Sequence, residues 1–411
     1  MMPLKKGDFR LSFWAGSQFN ESPASLLSPQ LPGNESQTSR FIRLSGFLPI
    51  ISTGNAGLQM RFFFSADTFL YVNKQLAISD GTATQSFAMR WNGFIRTSGG
   101  HEFSAEYYPG FNRVASANFD NIVFCTDQRL RLKYQLNRTE VFKISFWNHF
   151  LNRDFENVFL LPGASVGFIP RNMSSKAGQR LKWLSVYAGL ARNMRMPTMN
   201  DLYWAPGGNP DLKPEDAWMA DMTVFASFAE NKCFKWDVKW MPYYSTTTNL
   251  IRWTPDSLSS QWNASNVAES RQYGFEATAT ATFQWSKNSL SGSLNAARVF
   301  AEDVSGTEIK TLIYVPDKTM NAVLSIRHGI WSGGYEFHYT GKRFTDGDND
   351  RYMPEIFLHD VFVCVSRNLG SNKLSLSARL NNFMNADYQY IAWYPMPRRN
   401  FYVTLKWNWN E

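Results

Sequence analysis

The chain has 411 residues and a formal net charge of +8, with 44% hydrophobic, 16% aromatic and 18% charged residues. Its basic residues are scattered, which argues against a nucleic-acid partner. No stretch approaches the ~20 apolar residues that a membrane helix requires. A chain rich in aromatics and poor in charge is typical of a membrane β-barrel, whose lipid face uses every second residue. A large soluble β protein is the alternative.

The N-terminal residues MMPLKKGDFR carry two lysines but no apolar segment of a signal peptide. Because exported proteins need such a segment, we expect either a cytoplasmic protein or a chain that lacks its true beginning. The cysteines, Cys125, Cys233 and Cys364, are odd in number and far apart, so a disulfide framework is not expected.

Apolar and polar residues alternate with a period of two through most of the chain, which predicts strands with one apolar face. The last strand shows this well, since Phe401, Val403 and Leu405 alternate with Tyr402 and Thr404. In chain order the predicted strands are 8–19, 39–50, 57–70, 84–96, 99–110, 127–137, 140–151, 159–171, 179–193, 215–229, 233–248, 266–284, 288–300, 317–328, 333–343, 355–367, 372–383 and 398–409.

The predicted connections alternate between short and long. The short ones are 97–100, 137–139, 230–232, 286–288 and 329–333. The long ones are 20–38, 111–126, 194–214, 249–265, 301–316, 344–354 and 384–397. Tight turns on one rim and long loops on the other are typical of outer-membrane barrels. The sequence therefore predicts an all-β, transmembrane antiparallel β-barrel of about eighteen strands, each of the ~10 residues that cross a membrane at a tilt.

The segment from Arg192 to Glu215 interrupts the alternation and reads RNMRMPTMNDLYWAPGGNPDLKPE. Proline lacks an N–H donor and glycine loses much backbone entropy, so a loop is predicted here. The segment resembles the R-x-P-[ST]-x-N-[DE]-L-Y and N-P-x-L-K-P-E motifs of TonB-dependent outer-membrane receptors. The matching residues are Arg195, Pro197, Thr198, Asn200, Asp201, Leu202, Tyr203, Asn209, Pro210, Leu212, Lys213, Pro214 and Glu215.

The C-terminal stretch NNFMNADYQYIAWYPMPRRNFYVTLKWNW is similar to the closing hairpin of the same family. The shared positions are Asn382, Phe383, Asn385, Tyr388, Pro395, Pro397, Arg399 and Asn400. The resemblance extends from about residue 160 to the end, and its wording is most similar to vitamin B12 (cobalamin) receptors of the Bacteroidetes type. Siderophore receptors have related sequence motifs.

This resemblance implies a receptor in the outer membrane of a Gram-negative bacterium that takes up cobalamin or a ferric siderophore with energy from TonB. Its partners would be that ligand, membrane lipid and, in the full-length protein only, TonB. Barrels of this family have 22 strands around a plug. Residues 1–411 are therefore expected to be the C-terminal barrel portion, about 18 of those strands, without the plug and the first strands, and inactive alone.

The sequence contains no catalytic constellation, so we expect a protein that is not an enzyme. The candidate ligand contacts are aromatic rings and amides on long loops: Tyr203, Trp204, Asn209, Trp262 and Tyr394. Stacking surfaces and amides suit a large, planar, polar ligand such as a corrinoid. Packing of Tyr203 and Trp204 onto the barrel rim is the alternative. An eighteen-stranded diffusion porin for small solutes and a soluble surface protein are the competing functions.

The loop TDGDNDR places Asp346, Asp348 and Asp350 at alternate positions, like the start of a calcium-binding loop. Glu355 does not lie at the spacing of the later glutamate in such loops. The sequence thus suggests calcium as the one candidate cofactor, with a plain solvated loop as the alternative.

Overall fold

The computed structural model describes residues 9–22, 35–73, 78–137, 141–169, 181–229, 233–255 and 262–408. These residues form strands connected by turns, with one short helix, α1 (Met199–Tyr203). No helix in this described part is long and apolar enough to cross a bilayer.

The strands are numbered in chain order. They are β1 (Arg10–Ser22), β2 (Glu35–Ser52), β3 (Ala56–Asn73), β4 (Ile78–Arg96), β5 (His101–Ser116), β6 (Val123–Leu136), β7 (Phe142–Arg153), β8 (Asn157–Phe168), β9 (Leu181–Arg195), β10 (Glu215–Ala229), β11 (Phe234–Pro255), β12 (Trp262–Trp285), β13 (Asn288–Asp303), β14 (Lys310–Thr311), β15 (Lys318–His328), β16 (Trp331–Thr340), β17 (Arg343–Phe344), β18 (Tyr352–Met353), β19 (Ile356–Leu369), β20 (Asn372–Asn381), β21 (Gln389–Ile391), β22 (Tyr394–Pro395) and β23 (Asn400–Asn408). Five of these have only two or three residues, and the other eighteen coincide with the predicted strands, which confirms that prediction.

The described residues divide into two compact units. Unit 1 comprises residues 1–167, 189–219 and 246–269, and unit 2 comprises residues 168–188, 220–245 and 270–411, apart from the residues outside the described ranges. In unit 1, strands β1 to β7 pair with their chain neighbours in antiparallel register. In unit 2, the same pattern joins β13, β15, β16, β19, β20 and β23 in that order.

One face of each unit is apolar and exposed. In unit 2, Leu376 is 50% exposed and Leu405 68%, although these two residues lie opposite each other in the register of β20 and β23. In unit 1, Phe103 on β5 is 54% exposed. A soluble protein rarely leaves so large an apolar surface in water. The face is therefore the lipid-facing side of a transmembrane antiparallel sheet, with the polar residues on the opposite side.

Two of the predicted long loops are shorter than the sequence suggested. The predicted loop 111–126 shrinks to residues 117–122 because both of its flanks continue the hydrogen-bonded ladder. The predicted loop 249–265 is occupied by the ends of β11 and β12, which have 22 and 24 residues. A tilted strand crosses a membrane in ~10 residues, so these two strands extend well beyond the bilayer.

The Pro/Gly-rich connection between β9 and β10, called the 196–214 segment, begins with helix α1. Thr198 is its N-cap residue: the backbone N–H of Asp201 donates to the Thr198 hydroxyl (3.2 Å), and the Thr198 N–H donates to the Asp201 carboxylate (2.8 Å). This capping box satisfies two backbone donors at the start of the helix. After the helix, the amides of Gly207 and Gly208 both donate to the Trp204 carbonyl, which reverses the chain.

Ion pairs close the base of this segment. The Arg195 guanidinium at the end of β9 donates twice to the carboxylate of Glu215, the first residue of β10. Glu215 also accepts a hydrogen bond from the Ile251 amide on β11 (2.9 Å). A second ion pair joins the same two strands: Arg192 on β9 donates to both carboxylate oxygens of Asp216 on β10, at 2.9 and 2.6 Å. Three strands thus meet at the Glu215 carboxylate.

The underside of the 196–214 segment packs against the extensions of β11 and β12. Leu212, Ile251 and Ala264 form a buried apolar cluster against which Leu202 and Trp253 pack. The Ala264 amide donates to the Gly207 carbonyl (2.8 Å). The segment is therefore a packed element with its own core and not a free loop.

Asp201 connects the helix to β11. Its side chain accepts a hydrogen bond from the Trp253 indole N–H at 2.9 Å, and only 7% of the residue is exposed. Burial raises the pKa of this carboxyl, but hydrogen bonds from Thr198 and Trp253 and the charge of Arg195 outweigh burial. The pKa of Asp201 consequently lies below 3.8, the ordinary value for an aspartate. The ionised form is the one that the fold stabilises.

We expect Asp201→Ala to lower the free energy of local opening of the 196–214 segment by about 1–3 kcal/mol, because the Trp253 indole loses its acceptor. Asp201→Asn retains an amide oxygen for Trp253 and should have a smaller effect. Hydrogen–deuterium exchange of the refolded chain in detergent measures this opening. Asp211→Ala, at an exposed aspartate of the same segment, is the matched control and should change nothing.

The depressed pKa of Asp201 also gives a pH dependence. A group whose pKa is lower in the folded state stabilises that state above its unfolded pKa, and the stabilisation is lost as pH falls through the folded pKa. The protection factor of the 196–214 segment, which is the exchange rate corrected for the intrinsic effect of pH, should therefore be constant down to pH about 4 and fall below it. Asp201→Asn should remove that acid-dependent step, and an unchanged step in this variant would show that another group titrates.

Gly208 allows a test of the close packing around α1. A Cβ atom at this position would lie 2.5 Å from the Trp204 nitrogen and 2.8 Å from the Tyr203 nitrogen, both backbone atoms that cannot rotate away. Gly208→Ala should displace α1 and raise hydrogen exchange in residues 202–208. Gly54→Ala is the control because nothing lies within 4 Å of its added methyl group. Equal exchange in the two variants would contradict the close approach.

Candidate functional site

A cleft of about 660 Å³ lies in unit 1 beside helix α1. One wall is the turn between β5 and β6, and the other is the first part of the 196–214 segment. We call it the aromatic cleft, after the lining residues Phe119, Ile122, Phe124, Tyr203, Trp204 and Pro206. The Ala205 amide donates to the Asn118 carbonyl (2.7 Å), which joins the two walls.

Tyr203 and Trp204, two of the predicted ligand contacts, both line this cleft. The Tyr203 ring packs edge-on against Phe119, with centroids 6.1 Å apart and planes at 62°. The two side chains stay partly accessible, at 39% and 36% exposed. Burial raises the pKa of the Tyr203 phenol, so its hydroxyl stays protonated and able to donate at neutral pH. The pair therefore has a packing role on one side and a free surface on the other.

The polar groups of the aromatic cleft are few. Asp120 is the single charged residue among those that line it, and Asn121 and Asn263 supply amides. Flat aromatic surfaces with a few hydrogen-bonding groups suit a ligand that is planar and amide-rich. A strongly anionic ligand would meet no cation here, and its charge would be repelled by Asp120.

Three other predicted contacts lie elsewhere. The Asn209 amide N–H donates to the Asp201 carbonyl (2.8 Å), and its side-chain oxygen accepts from the Asp211 amide (3.0 Å), so Asn209 shapes the segment's turn. Tyr394 lies in unit 2 on β22 and is 51% exposed. Trp262 begins β12, but its side chain lies outside the described residues.

The aspartates of the candidate calcium loop lie between β17 and β18. The Asp346 carboxylate accepts hydrogen bonds from the backbone amides of Asp350 (3.0 Å) and Arg351 (3.2 Å), and so closes its own loop. The Asp348 carbonyl accepts a hydrogen bond from Lys310 (3.4 Å). Calcium binding by Asp346, Asp348 and Asp350 stays a prediction.

A different group in unit 2 brings metal-ligating atoms together. Donor atoms of Glu336, His338 and Asp360 lie within 4.8 Å of one another. However, the Arg379 guanidinium donates to both carboxylates, at 2.7 Å to Glu336 and 2.9 Å to Asp360. An arginine in this position offsets one of the two negative charges and occupies the donor-binding oxygens of both acids. The arrangement is therefore that of an ion network in the sheet and not of a metal centre.

The wall of the aromatic cleft that the β5–β6 turn forms is not evident from the sequence. Phe119 and Ile122 lie in the stretch ANFDNIVF, whose composition predicts a plain loop. The available signal is a pair of apolar residues placed among Asp and Asn in a turn, where exposed apolar side chains are uncommon. The fold itself shows that this turn lies beside α1, through the hydrogen bond from the Ala205 amide to the Asn118 carbonyl.

Comparisons with known proteins agree with this architecture. The family model described as TonB dependent receptor-like, beta-barrel, matches residues 51–383. The vitamin B12 transporter BtuB of Photobacterium profundum is 25% identical over 224 residues, which are 54% of this chain and 35% of that relative. BtuB of Vibrio cholerae serotype O1 (strain M66-2) is 27% identical over 226 residues, again 54% of this chain and 34% of the relative.

Among solved structures, the FrpB iron transporter from Neisseria meningitidis (F5-1 variant) is similar, with a TM-score of 0.72 and 13% identity. That likeness covers 98% of this chain and 70% of FrpB, and at this identity it shows the fold alone. The matched region spans about a third of the length of the curated relatives. Because the family model covers most of its length, the chain belongs to the TonB-dependent receptor β-barrel family, whose members are outer-membrane transport receptors and not a class of enzymes.

Proposed function

We propose that this chain is the barrel part of an outer-membrane receptor that takes up a corrinoid of the cobalamin type. The observation that carries the proposal is the aromatic cleft, which combines Tyr203, Trp204 and Phe119 with a nearly uncharged lining. The 196–214 segment fixes this cleft through Asp201 and Glu215. A preformed site loses less conformational entropy when a ligand binds.

The charge of the cleft favours a corrinoid over a ferric siderophore of the catecholate type. Ferric tris-catecholate complexes are anionic and need cations to bind them, whereas Asp120 is the one charge that lines this cleft. A corrinoid presents a broad flat ring edged with amides, which Trp204 can stack on and Asn121 can hydrogen-bond. The names of the two BtuB relatives, vitamin B12 transporters, support the same ligand.

In this proposal the 196–214 segment lies outside the cell. The alternation of short and long connections in the sequence supports this side, and the apolar face of the strands supports a location in the outer membrane. Uptake would draw energy from TonB, as the family's description implies. Because the matched region spans about a third of the relatives' length, this coupling is proposed for the whole receptor. Ferric chelates are the second candidate class of ligand. Calcium bound in the loop Asp346–Asp350 would stabilise the connection between β17 and β18 in unit 2.

We expect Trp204→Ala to weaken binding of cyanocobalamin by about tenfold, because an aromatic contact contributes about 0.5–1.5 kcal/mol beyond its buried area. The measurement is equilibrium dialysis of radiolabelled cyanocobalamin with the 411-residue chain refolded in detergent. Heat-modifiable migration on a gel establishes that each variant is folded before binding is measured.

Trp218→Ala is the matched control, since Trp218 is an exposed tryptophan on β10 that does not line the aromatic cleft. It should leave the affinity unchanged. If a ferric tris-catecholate binds the folded chain and cyanocobalamin does not, the corrinoid assignment is wrong. If neither binds but liposomes that contain the chain pass small sugars, the diffusion porin is the better description.

A further inference from the structure

A second cleft in unit 1 is rich in basic residues. It lies on the polar face of the sheet, has a volume of about 660 Å³ and extends from β4 to the end of β9. We call it the arginine cleft. Its basic lining residues are Arg90, Arg129, Arg131, Arg153, Arg195 and His149, and Glu106 is its single acidic lining residue.

The strand register brings these residues to one place. Arg131 on β6 lies opposite Glu106 on β5 and opposite His149 on β7. Arg129, two residues earlier on β6, points to the same face because side chains alternate along a strand. Arg129 and Arg131 therefore carry like charges on one face of the same strand, and these charges repel each other. The arrangement costs stability unless a negative charge lies close to both.

Three of the arginines already have carboxylate partners. Arg90 pairs with Glu106 (2.8 Å), Arg153 pairs with Asp127 (2.9 Å), and Arg195 pairs with Glu215. Each of these three carboxylates already forms an ion pair with another arginine, so none of them is paired with Arg129 or Arg131.

Arg129 and Arg131 are different. Within the described ranges neither has a carboxylate at ion-pair distance; the Arg129 guanidinium lies 5.8 Å from the centre of the Tyr108 ring. In the same part of the chain, the buried Arg131 Nε and His149 Nε2 atoms have no hydrogen-bond partner. A buried polar atom without a partner costs free energy, and native proteins seldom contain one unless a ligand, ion or water completes it. Two unpartnered atoms, on residues paired across β6 and β7, indicate a common missing partner.

We propose that the arginine cleft binds a phosphate-type oxyanion carried by a small molecule. The planar Arg131 guanidinium presents its donors in a fork that matches two oxygens of a phosphate, and Arg129 adds a second positive charge. The unpartnered Arg131 Nε and His149 Nε2 would then both be satisfied. This site is chemically distinct from the aromatic cleft and does not depend on which ligand that cleft takes.

Two sources of such an oxyanion fit the cleft. One is free phosphate, and the other is the phosphodiester in the nucleotide loop of a complete corrinoid. The second source rests on the proposed function, whereas the first does not. The experiments below separate the two.

The first experiment titrates inorganic phosphate into the full chain, refolded in detergent in a phosphate-free buffer, by isothermal calorimetry. We expect saturable binding that Arg131→Gln weakens about tenfold or more, as for loss of a charge-assisted hydrogen bond. Arg131→Lys retains the charge without the fork and should lose less. Arg96→Gln is the matched control, because Arg96 lies on the same face of β4, outside the cleft, and pairs with Glu102.

Folding of each variant is established first by heat-modifiable gel migration. If the wild-type chain shows no saturable phosphate binding, or if Arg131→Gln and Arg96→Gln bind phosphate equally, the proposal is wrong. A loss in Arg131→Gln that Arg131→Lys partly restores cannot come from unfolding, since both variants must pass the same gel test.

The second experiment compares cyanocobalamin with dicyanocobinamide, a corrinoid that lacks the phosphodiester. If the corrinoid is the source, Arg131→Gln weakens cyanocobalamin binding about tenfold and leaves cobinamide binding unchanged. If free phosphate is the source, both corrinoids bind the variant normally while phosphate binding is lost. An equal loss for both corrinoids would overturn the assignment of Arg131 to an oxyanion. Failure of the corrinoid proposal itself would appear separately, as absent binding of both corrinoids to the wild-type chain.

Discussion

The most consequential interaction in unit 1 is the one that the Glu215 carboxylate makes at the base of the 196–214 segment. It accepts hydrogen bonds from Arg195 at the end of β9 and from the Ile251 amide on β11, while its own backbone begins β10. Its side chain is only 11% exposed. Removing one partner of such a pair leaves a poorly solvated charge behind, which is far more costly than the pair is stabilising. The position of α1, and with it one wall of the aromatic cleft, depends on this junction.

A second constraint is the alternation of side chains along every strand. In unit 1 it places Phe103 on the face that meets lipid and directs Glu106 and Arg131 to the opposite face. The same geometry that makes the sheet compatible with a membrane also gathers the cations of the arginine cleft. The apolar lipid-facing side and the cluster of cations on the opposite side both follow from the alternation of side chains along the strands.

Much of this fold could be predicted from the sequence, because period-two alternation is a local property that needs no knowledge of neighbouring strands. Strand ends were harder: residues 111–116 and 250–255 fall in predicted loops, yet they continue strands whose partners lie elsewhere in the sequence. For the site, Tyr203 and Trp204 were predicted because two large aromatics interrupt a Pro/Gly-rich run. Phe119 was not, since only the tertiary contact with Tyr203 brings it beside α1.

The arginine cleft also could not be predicted from the sequence. In the sequence its cations are separated by up to about a hundred positions and look scattered; in the fold, antiparallel register places them on one face. Arg195 is a lining residue of this cleft and also the partner of Glu215 and, at 3.5 Å, of Asp201. An oxyanion beside Arg195 would therefore compete for the guanidinium that fixes the 196–214 segment. Because Arg195 lines the arginine cleft and also pairs with Glu215, a ligand that drew its guanidinium away from Glu215 would weaken the junction that positions one wall of the aromatic cleft.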